Sequence, residues 1–449
     1  MTAKNQILRI RIDDINPDGN GIGRADDGKV VFVPLTAPGD VWDVRIIKET
    51  SGYLVGKAES LVSPSEHRVP VPCPCYNRCG SCSFLHLSEE YENRKKREIV
   101  KNAFLRIAKM DVPVEETRYR SMERYRNKVV YPLAYDGPDA SFGYYARHSH
   151  VLVPHTDCPL QDKRFSEIAA CFCGLADRMH VPLWNESSQS GILRHLAIRM
   201  NRSGSFAVTV VASKQFREAT RIADDLRNSI PAVSSVFLNV NPRPDNVILG
   251  PETVLLSGFS SFEDALCGKR FLISPLSFYQ IHADIAEEMY RTAAGLLSLR
   301  EGGTLLDLYC GVGTIGLSLV SENQNLFGVE IVPDAVRDAA INAERNGRSG
   351  ENTIFICGDA SEGFRSCEEA FGTPDAIVVD PPRKGLSDEV LHAVIESGCE
   401  HVLYISCNPA TLAGNCSVLC ANGFSVQTVI PFNMFPRTGH VETVVLLRR

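Results

Sequence analysis

Long apolar runs are the first thing this sequence lacks. No continuous apolar stretch of about 20 residues, the length a membrane-crossing helix needs, occurs in it. The opening "MTAKNQILRIRIDD" also lacks the apolar segment and small-residue site of a secretory leader. A cytoplasmic protein without membrane contact is therefore expected. Unbroken basic runs are absent too, and a net charge of −7 argues against a partner held by bulk attraction alone. The fifteen cysteines lack the even number and regular spacing of a disulfide framework, so in a reducing compartment they point to metal binding, catalysis and packing. With 44% hydrophobic and 22% charged residues the chain is not disordered, and 449 residues suffice for two or three domains with their own cores.

What is present is unevenly distributed. Between Tyr91 and Tyr131 twelve Lys/Arg stand against six Asp/Glu. Within it, "ENRKKREIVKNAFLRIAK" reads as an amphipathic helix with Ile99, Phe104 and Ile107 near one face, and "RYRSMERYRNK" interleaves arginine with tyrosine. Such mixing offers nucleic acid both phosphate neutralisation and stacking surface, although a solvated helix face followed by a loop gives the same pattern.

The chain divides by pattern. Residues 1 to about 60 alternate apolar and polar in short runs between Gly, Asn, Asp and Pro clusters, which predicts a small antiparallel barrel. "VSPSEHRVPVPCPCYNRCGSC" is too rich in Pro and Cys for helix or strand and reads as a linker folded around something. From about 90 to 260 helices and strands mix without a repeat. After about 270 strand and helix alternate through "TLLDLYC", "NLFGVEIV", "TIFICGD", "DAIVVDPP" and "HVLYISC", then "FSVQTVIPF" and "HVETVVLLRR" close the chain. An α/β fold with a doubly wound, mainly parallel sheet follows.

Ligands of such sheets gather at the carboxyl ends of the strands. The first end gives "DLYCGVGTIG", where Gly311, Gly313 and Gly316 form G-x-G-x-x-G after a strand and before a helix. The second ends in Glu330, at the spacing of a carboxylate that accepts from ribose hydroxyls. Asp359 ends the third, and "DPPRKG" from Asp380 the fourth. A nicotinamide enzyme is the rival reading. Four polar strand tails in register, with Asp307 ahead of the glycines, resemble the S-adenosylmethionine methyltransferase fold.

Cys407, in "LYISCNPATL", lies at the next tail and faces the same crevice. A buried cysteine is more often packing, but methylation at carbon gives a thiol work to do. Carbon 5 of uracil becomes nucleophilic once a thiolate adds at carbon 6. The adduct resolves when a base takes the carbon 5 proton, and Glu442 in "HVETVV" is the candidate base.

These segments carry a resemblance. "FYQIH", "DLYCGVGTIGL", "GVEIV", "DPPRKGL", "YISCNPATLA" and "MFPRTGHVETVVLL" look like the motifs of the RNA uracil-5 methyltransferase family, in order and suitably separated. By that resemblance Cys407 would be the nucleophile and Glu442 the proton acceptor, and Gln280, Tyr309, Glu330 and Asp380 would contact S-adenosylmethionine. His282 departs from the pattern, since many members carry Asn there.

Residues 4–60 resemble the TRAM domain, an OB-like RNA-binding barrel. Cys73, Cys79 and Cys82, with the distant Cys158, suit tetrahedral zinc or an iron-sulfur cluster by spacing alone. Resemblance to ribosomal RNA members favours a 4Fe-4S cluster, with Cys75 as a competing ligand. "YRNKVVYPL" and "SFGYYARHSHVLVPHTDC" resemble the family's central RNA-binding segment, with Arg126, Lys128 and Arg147 as candidate phosphate contacts. The remaining cysteines, Cys310 included, are expected to pack. The expected organisation is a TRAM barrel over 1–62, an iron-sulfur segment with a mixed α+β central RNA-binding domain over 63–265, and a Rossmann-like methyltransferase domain over 266–449. The resemblance implies methylation of carbon 5 of a uridine in 23S ribosomal RNA, with the same reaction on transfer RNA as the alternative and no protein partner. A cytosine-5 enzyme would carry a second cysteine where this chain has "DPPRKG". A non-catalytic RNA-binding or ribosome assembly protein would not need Cys407, Glu442 and the glycine loop intact.

Overall fold

The computed structural model describes residues 4–348 and 350–449. Five strands, β1 Ile7–Ile15, β2 Asn20–Arg24, β3 Val30–Pro34, β4 Val41–Glu49 and β5 Tyr53–Ser63, close into a barrel in the order β1-β2-β3-β5-β4. Alternate residues Ile10, Ile12, Val31, Val33, Val44, Ile46 and Leu54 fill it, as period-2 strands require. The barrel is not wholly antiparallel as expected, because β3 and β5 pair in parallel to close it. Its exit is pinned by Asp40, which accepts from the amides of Ala37 and Ser65 and from Arg68. Burial opposes the Asp40 charge, but those bonds and Trp42 outweigh it and hold the carboxyl below its ordinary range.

The cysteine-bearing segment leads into α1 (Glu89–Ala103), capped by Ser88 and acidic in its first turn, both favourable at a helix N-terminus. It runs into a π-helical turn, Phe104–Ala108. That turn rotates the stripe: Phe104 stays buried, while Ile107, expected beside it, is 49% exposed. The central domain is a seven-stranded sheet, built from β6 Lys128–Asp136, β7 Asp139–Tyr145, β8 Leu152–Pro154, β9 Leu193–Met200, β10 Phe206–Ala212, β11 Val233–Val240 and β12 Glu252–Gly258, ordered β12-β11-β10-β9-β6-β7-β8. Helices α2 (Arg164–Arg178) and α3 (Ala219–Ser229) pack on it.

A hairpin, β13 Glu263–Leu266 with β14 Lys269–Leu272, and helix α4 (Ala283–Leu297) precede the last sheet. Strands β15 Thr304–Leu308, β16 Asn325–Glu330, β17 Thr353–Cys357, β18 Ala376–Val379, β19 His401–Ser406, β20 Ser425–Phe432 and β21 Glu442–Arg448 are ordered β17-β16-β15-β18-β19-β21-β20. The first five are parallel, and β21 is antiparallel to both its neighbours. Helices α5 (Thr314–Leu319), α6 (Pro333–Arg345), α7 (Gly363–Phe371), α8 (Asp388–Glu396) and α9 (Pro409–Ala421) complete the domain. The strands read as continuous apolar runs because both faces are covered. Leu306, Ile377, Val379 and Val445 face one core, and Leu305, Val378, Leu403 and Val444 the other. Each buried aliphatic side chain there is worth about 1.5–3 kcal/mol of transfer free energy. Among the described residues no helix is long and apolar enough to cross a membrane.

Candidate active site

The glycine loop follows β15. Tyr309 sits at φ 68 in the left-handed region, a strained place for an aromatic residue. Gly311 and Gly313 follow at φ 55 and 80. A side chain on Gly311 would meet open space, so the backbone there is bare, whereas one on Gly316 would lie 2.7 Å from Asp307 Oδ2. Asp307 Oδ2 accepts from the Gly316 amide at 2.8 Å, which ties the strand to the start of α5. Its Oδ1 is buried without a partner. Burial, then the charges of Asp380 and Glu330, push this carboxyl up to about 8.

Glu330 ends β16 and folds back on the loop: Oε2 accepts from the Gly311 amide at 3.1 Å and Oε1 from Val332 at 2.9 Å. Both oxygens keep a lone pair for a ligand hydroxyl. Gln280 is buried ahead of α4, and its side chain meets the hydroxyl of Tyr290, which also meets Thr314. Asp359 lies at the end of β17 but is exposed, with Oδ1 taken by the amide and hydroxyl of Ser361. Of the expected cofactor residues it is the one turned to solvent. His282, the departure from the family pattern, stacks on Tyr125 at 4.8 Å and meets Ser121 O at 2.9 Å, leaving α4 without a side-chain cap.

Asp380, Cys407 and Glu442 come from three adjacent strands. Asp380 follows β18, Cys407 follows β19, and Glu442 opens β21. Burial pushes Asp380 up to about 7. Glu442 is 3% exposed, and burial, then the charge of Asp380, lift it well above the carboxylate range while Arg383 opposes. Burial and Glu442 raise the half-buried Cys407 thiol, and Arg383, within hydrogen-bonding reach, draws it back. The loop carrying Arg383 is fixed by its carbonyl, which accepts from Asn408 Nδ2 at 2.9 Å and from Thr411. The arrangement is a thiol and a high-pKa carboxyl beside one guanidinium, suited to nucleophilic addition followed by proton abstraction.

Cys407 opens into a cleft of ≈ 470 Å³ whose apolar wall includes Ile99, Ala103 and Ile107 of the helix and π-helical turn. A second cleft of ≈ 750 Å³ runs between barrel, cysteine segment and central sheet, past Tyr144, Tyr145, Arg147, His148 and His195. Pro17 and His440 line both, so the two meet there.

The cysteine segment brings Cys82 and Cys158 into one buried cluster with Cys73 against it. The four thiols feel one another electrostatically, Cys79 included. The amides of Cys75 and Tyr76 temper the rise that burial gives the Cys73 thiol, as that of Leu160 does for Cys158, and the Tyr76 amide donates to Cys73 O at 3.3 Å. Burial raises Cys82 to about 12 and Cys158 to about 11, values a bound cation would reverse. Among the described residues no group of three or more Cys, His, Asp or Glu is set to hold a single metal ion. Cys75 points elsewhere, to Pro154 O at 3.5 Å.

The basic segment is largely spent inside the molecule. Lys96 is fully buried on Glu92 at 3.0 Å. Arg120 pairs with Glu288 and Arg124 with Asp157. Arg126 meets the Tyr125 hydroxyl, and Arg147 donates to Cys82 O and lies over Tyr76. Burial, then Arg199, lowers Lys128 to about 8.

Residues 267–449 match the family described as tRNA (Uracil-5-)-methyltransferase, and residues 2–58 match the TRAM domain. The chain is 34% identical to an uncharacterized RNA methyltransferase of Clostridium tetani over 99% of this chain and 96% of that one. The chain belongs to the RNA uracil-5 methyltransferase family. This uracil-5 methyltransferase is also 35% identical to an uncharacterized RNA methyltransferase of Listeria monocytogenes, over 100% and 98% of the two chains. Among solved structures it resembles the Pyrococcus abyssi tRNA (uracil-54, C5)-methyltransferase in complex with S-adenosyl-L-homocysteine, with a TM-score of 0.78 and 25% identity, covering 98% of this chain and 100% of that one. Sequence reasoning missed two residues of the methyltransferase site. Arg383 stands inside the quoted "DPPRKG" and had a signal. Tyr290, buried on α4, had none.

Proposed function

We propose that this enzyme methylates carbon 5 of a uridine in large-subunit ribosomal RNA through a covalent adduct of Cys407 at carbon 6. The observation that carries the reading is the convergence of Cys407, Glu442 and Arg383, with Cys407 and Arg383 lining one cleft. S-adenosylmethionine supplies an electrophilic methyl group; Gln280, Tyr309, Gly311, Gly313, Glu330 and Asp380 would hold it, with Asp359 nearby. Cys407 as thiolate bonds to carbon 6, and the electron pair moves toward carbon 5. Carbon 5 gains the methyl, leaving S-adenosylhomocysteine. Glu442 as carboxylate accepts the carbon 5 proton, the 5,6 double bond returns, and the thiolate leaves. Both atoms of the base must be reached from its faces, so it is extruded from its strand into the 470 Å³ cleft. The cleft past Tyr145 and Arg147 gives a single-stranded loop its path.

Cys73, Cys79, Cys82 and Cys158 would hold a 4Fe-4S cluster in this reading, supported by their clustering, and zinc is the alternative. Four thiolates leave no open iron, so its contribution is to fold the segment. Anaerobic reconstitution with iron and sulfide should give visible cluster absorbance that Cys82→Ser loses; zinc retained at one equivalent with no iron uptake would reverse the assignment. A cytoplasmic setting suits such a site.

Transfer RNA is the second reading, favoured by the Pyrococcus abyssi enzyme, whose similarity spans the barrel as well as the catalytic domain. The test uses both RNAs carrying 5-fluorouridine. Fluorine replaces the proton that must be removed, so the adduct is trapped after methyl transfer. A denaturation-resistant, cofactor-dependent adduct on ribosomal RNA that Cys407→Ala abolishes supports the proposal. An adduct on transfer RNA alone moves the substrate, and none on either removes the covalent mechanism.

A further inference from the structure

Glu442 is delivered by the loop between β20 and β21, and that loop is gripped from outside its own domain. Asn433 donates to Glu92 Oε1 at 3.1 Å and to Asn93 Oδ1 at 2.8 Å. Lys96 Nζ donates to Asn433 Oδ1 at 2.5 Å and to Phe435 O at 3.0 Å. The Tyr125 hydroxyl donates to Pro436 O at 3.2 Å. Arg437 is the centre of the grip. Its amide donates to Glu92 Oε1 at 2.9 Å, and its guanidinium to Leu87 O at 3.2 Å and Glu89 Oε1 at 3.0 Å. Its carbonyl accepts from both Ser83 and Phe84 at 3.0 Å, immediately after Cys82. The residue sits at φ 68, a conformation a bulky side chain rarely adopts unless its surroundings enforce it.

The clamp is built from buried charge. Lys96 and Glu92 are 0% exposed and Arg437 is 7% exposed. Removing one partner of such a set leaves an uncompensated charge, so the geometry is held stiffly. Five residues on, Glu442 starts β21 opposite Phe432, the residue just before Asn433. Both ends of the loop are therefore fixed in register, with the clamp between them.

We infer that Arg437 is a positioning residue for Glu442, setting the proton-abstraction step through the clamp while leaving thiol addition and methyl transfer to groups held by the parallel strands. This rests on the covalent reading above. A general base placed about 1 Å from its proper position loses roughly 10²-fold in rate. Losing the clamp therefore slows resolution of the adduct more than its formation.

The experiment uses the full-length enzyme with Arg437→Asn, since Asn tolerates the left-handed backbone, and with Glu92→Gln as a second variant of nearly unchanged shape. Circular dichroism and S-adenosylhomocysteine affinity are measured first, to compare only folded variants. Two rates are then taken on RNA containing ordinary uridine: tritium release from carbon 5, and the fraction of RNA covalently bound during turnover. The rate of adduct formation with 5-fluorouridine RNA is the third readout, because fluorine makes it blind to the base. The expected result is tritium release slowed at least tenfold, bound RNA rising severalfold, and 5-fluorouridine adduct formation within twofold of wild type. Parallel loss of adduct formation and turnover, or unchanged tritium release in both folded variants, overturns the inference. Should Arg437→Asn not fold, Glu92→Gln decides by the same criteria. If the wild type itself forms no 5-fluorouridine adduct, the covalent reading fails, and that result is distinct from a clamp failure.

Discussion

Two charge clusters, one among the strand tails and one where α1 grips the loop between β20 and β21, use the same residue types in opposite balance. Among the strand tails Asp307 and Glu442 lie buried with Asp380 half-buried beside them, Arg383 opposes the charge on Glu442, and the pKa values of Asp307, Asp380 and Glu442 climb to about 8, about 7 and well above the carboxylate range. In the other cluster, Lys96, Glu92 and Arg437 are also withdrawn from water, yet each charge has an opposite partner, the exposed Glu89 included. Uncompensated buried acids take up and release protons near neutrality. Compensated ones fix geometry. The contrast teaches that burial alone does not make a carboxylate reactive; its counter-charge decides.

Glu442→Gln is the largest break in this comparison. It keeps the shape and removes the proton acceptor, so turnover is expected to fall about 10²- to 10⁴-fold, with 5-fluorouridine adduct formation preserved. Loss of both would make Glu442 a structural acid. Gly316→Ala attacks the same cluster through packing. Its Cβ would lie 2.7 Å from both Asp307 Oδ2 and Leu326, an overpacking that costs about 1–3 kcal/mol. Urea unfolding with and without S-adenosylhomocysteine reads it, and an unchanged midpoint would show the strand end to be pliable.

Asp307→Asn sharpens the proton argument. The folded carboxyl near 8 stands above its ordinary 3.8. Between these values the folded state keeps a proton that the unfolded chain has released, so stability falls as pH rises through the window. The substitution should remove up to about 1.4 kcal/mol per pH unit of that slope. An identical slope in the variant would mean that Asp307 is ionised in the fold. The smallest effect is expected at Arg120→Ala, where an exposed arginine pairs with the half-buried Glu288, within about 0.5 kcal/mol of wild type. A drop in RNA affinity that vanishes at high salt would return the arginine-tyrosine segment to the substrate interface.

Legibility followed sequence distance. The barrel, the seven strands after Thr304 and the glycine loop were readable because period-2 runs, turn residues and a motif confined to a dozen positions each declare themselves locally. Asp307, Glu330 and Asp380 were readable because parallel topology brings consecutive strand tails to one edge. The clamp was not. "ENRKKREIVKNAFLRIAK" looked like a solvated or RNA-binding face, and no local pattern shows that Lys96 lies against Asn433, 337 positions away. Ile107 was misplaced for a related reason, since a π-helical turn breaks the 3.6 period from which its face was reckoned. Of the arginines named for phosphate, Arg126 turns to the Tyr125 hydroxyl, while Arg147 donates to Cys82 O and still lines the larger cleft.

Gly439 carries a consequence for modularity. A Cβ there would stand 2.0 Å from the carbonyl oxygen of Pro17, in the turn between the first two barrel strands. The barrel and the catalytic loop thus touch backbone to backbone, across a gap that only hydrogen can occupy. A barrel grafted from a distant relative, or one deleted, would alter the floor under His440 and Glu442 as well as the grip on RNA. Recognition and chemistry here share a hinge pin and are not separately exchangeable parts.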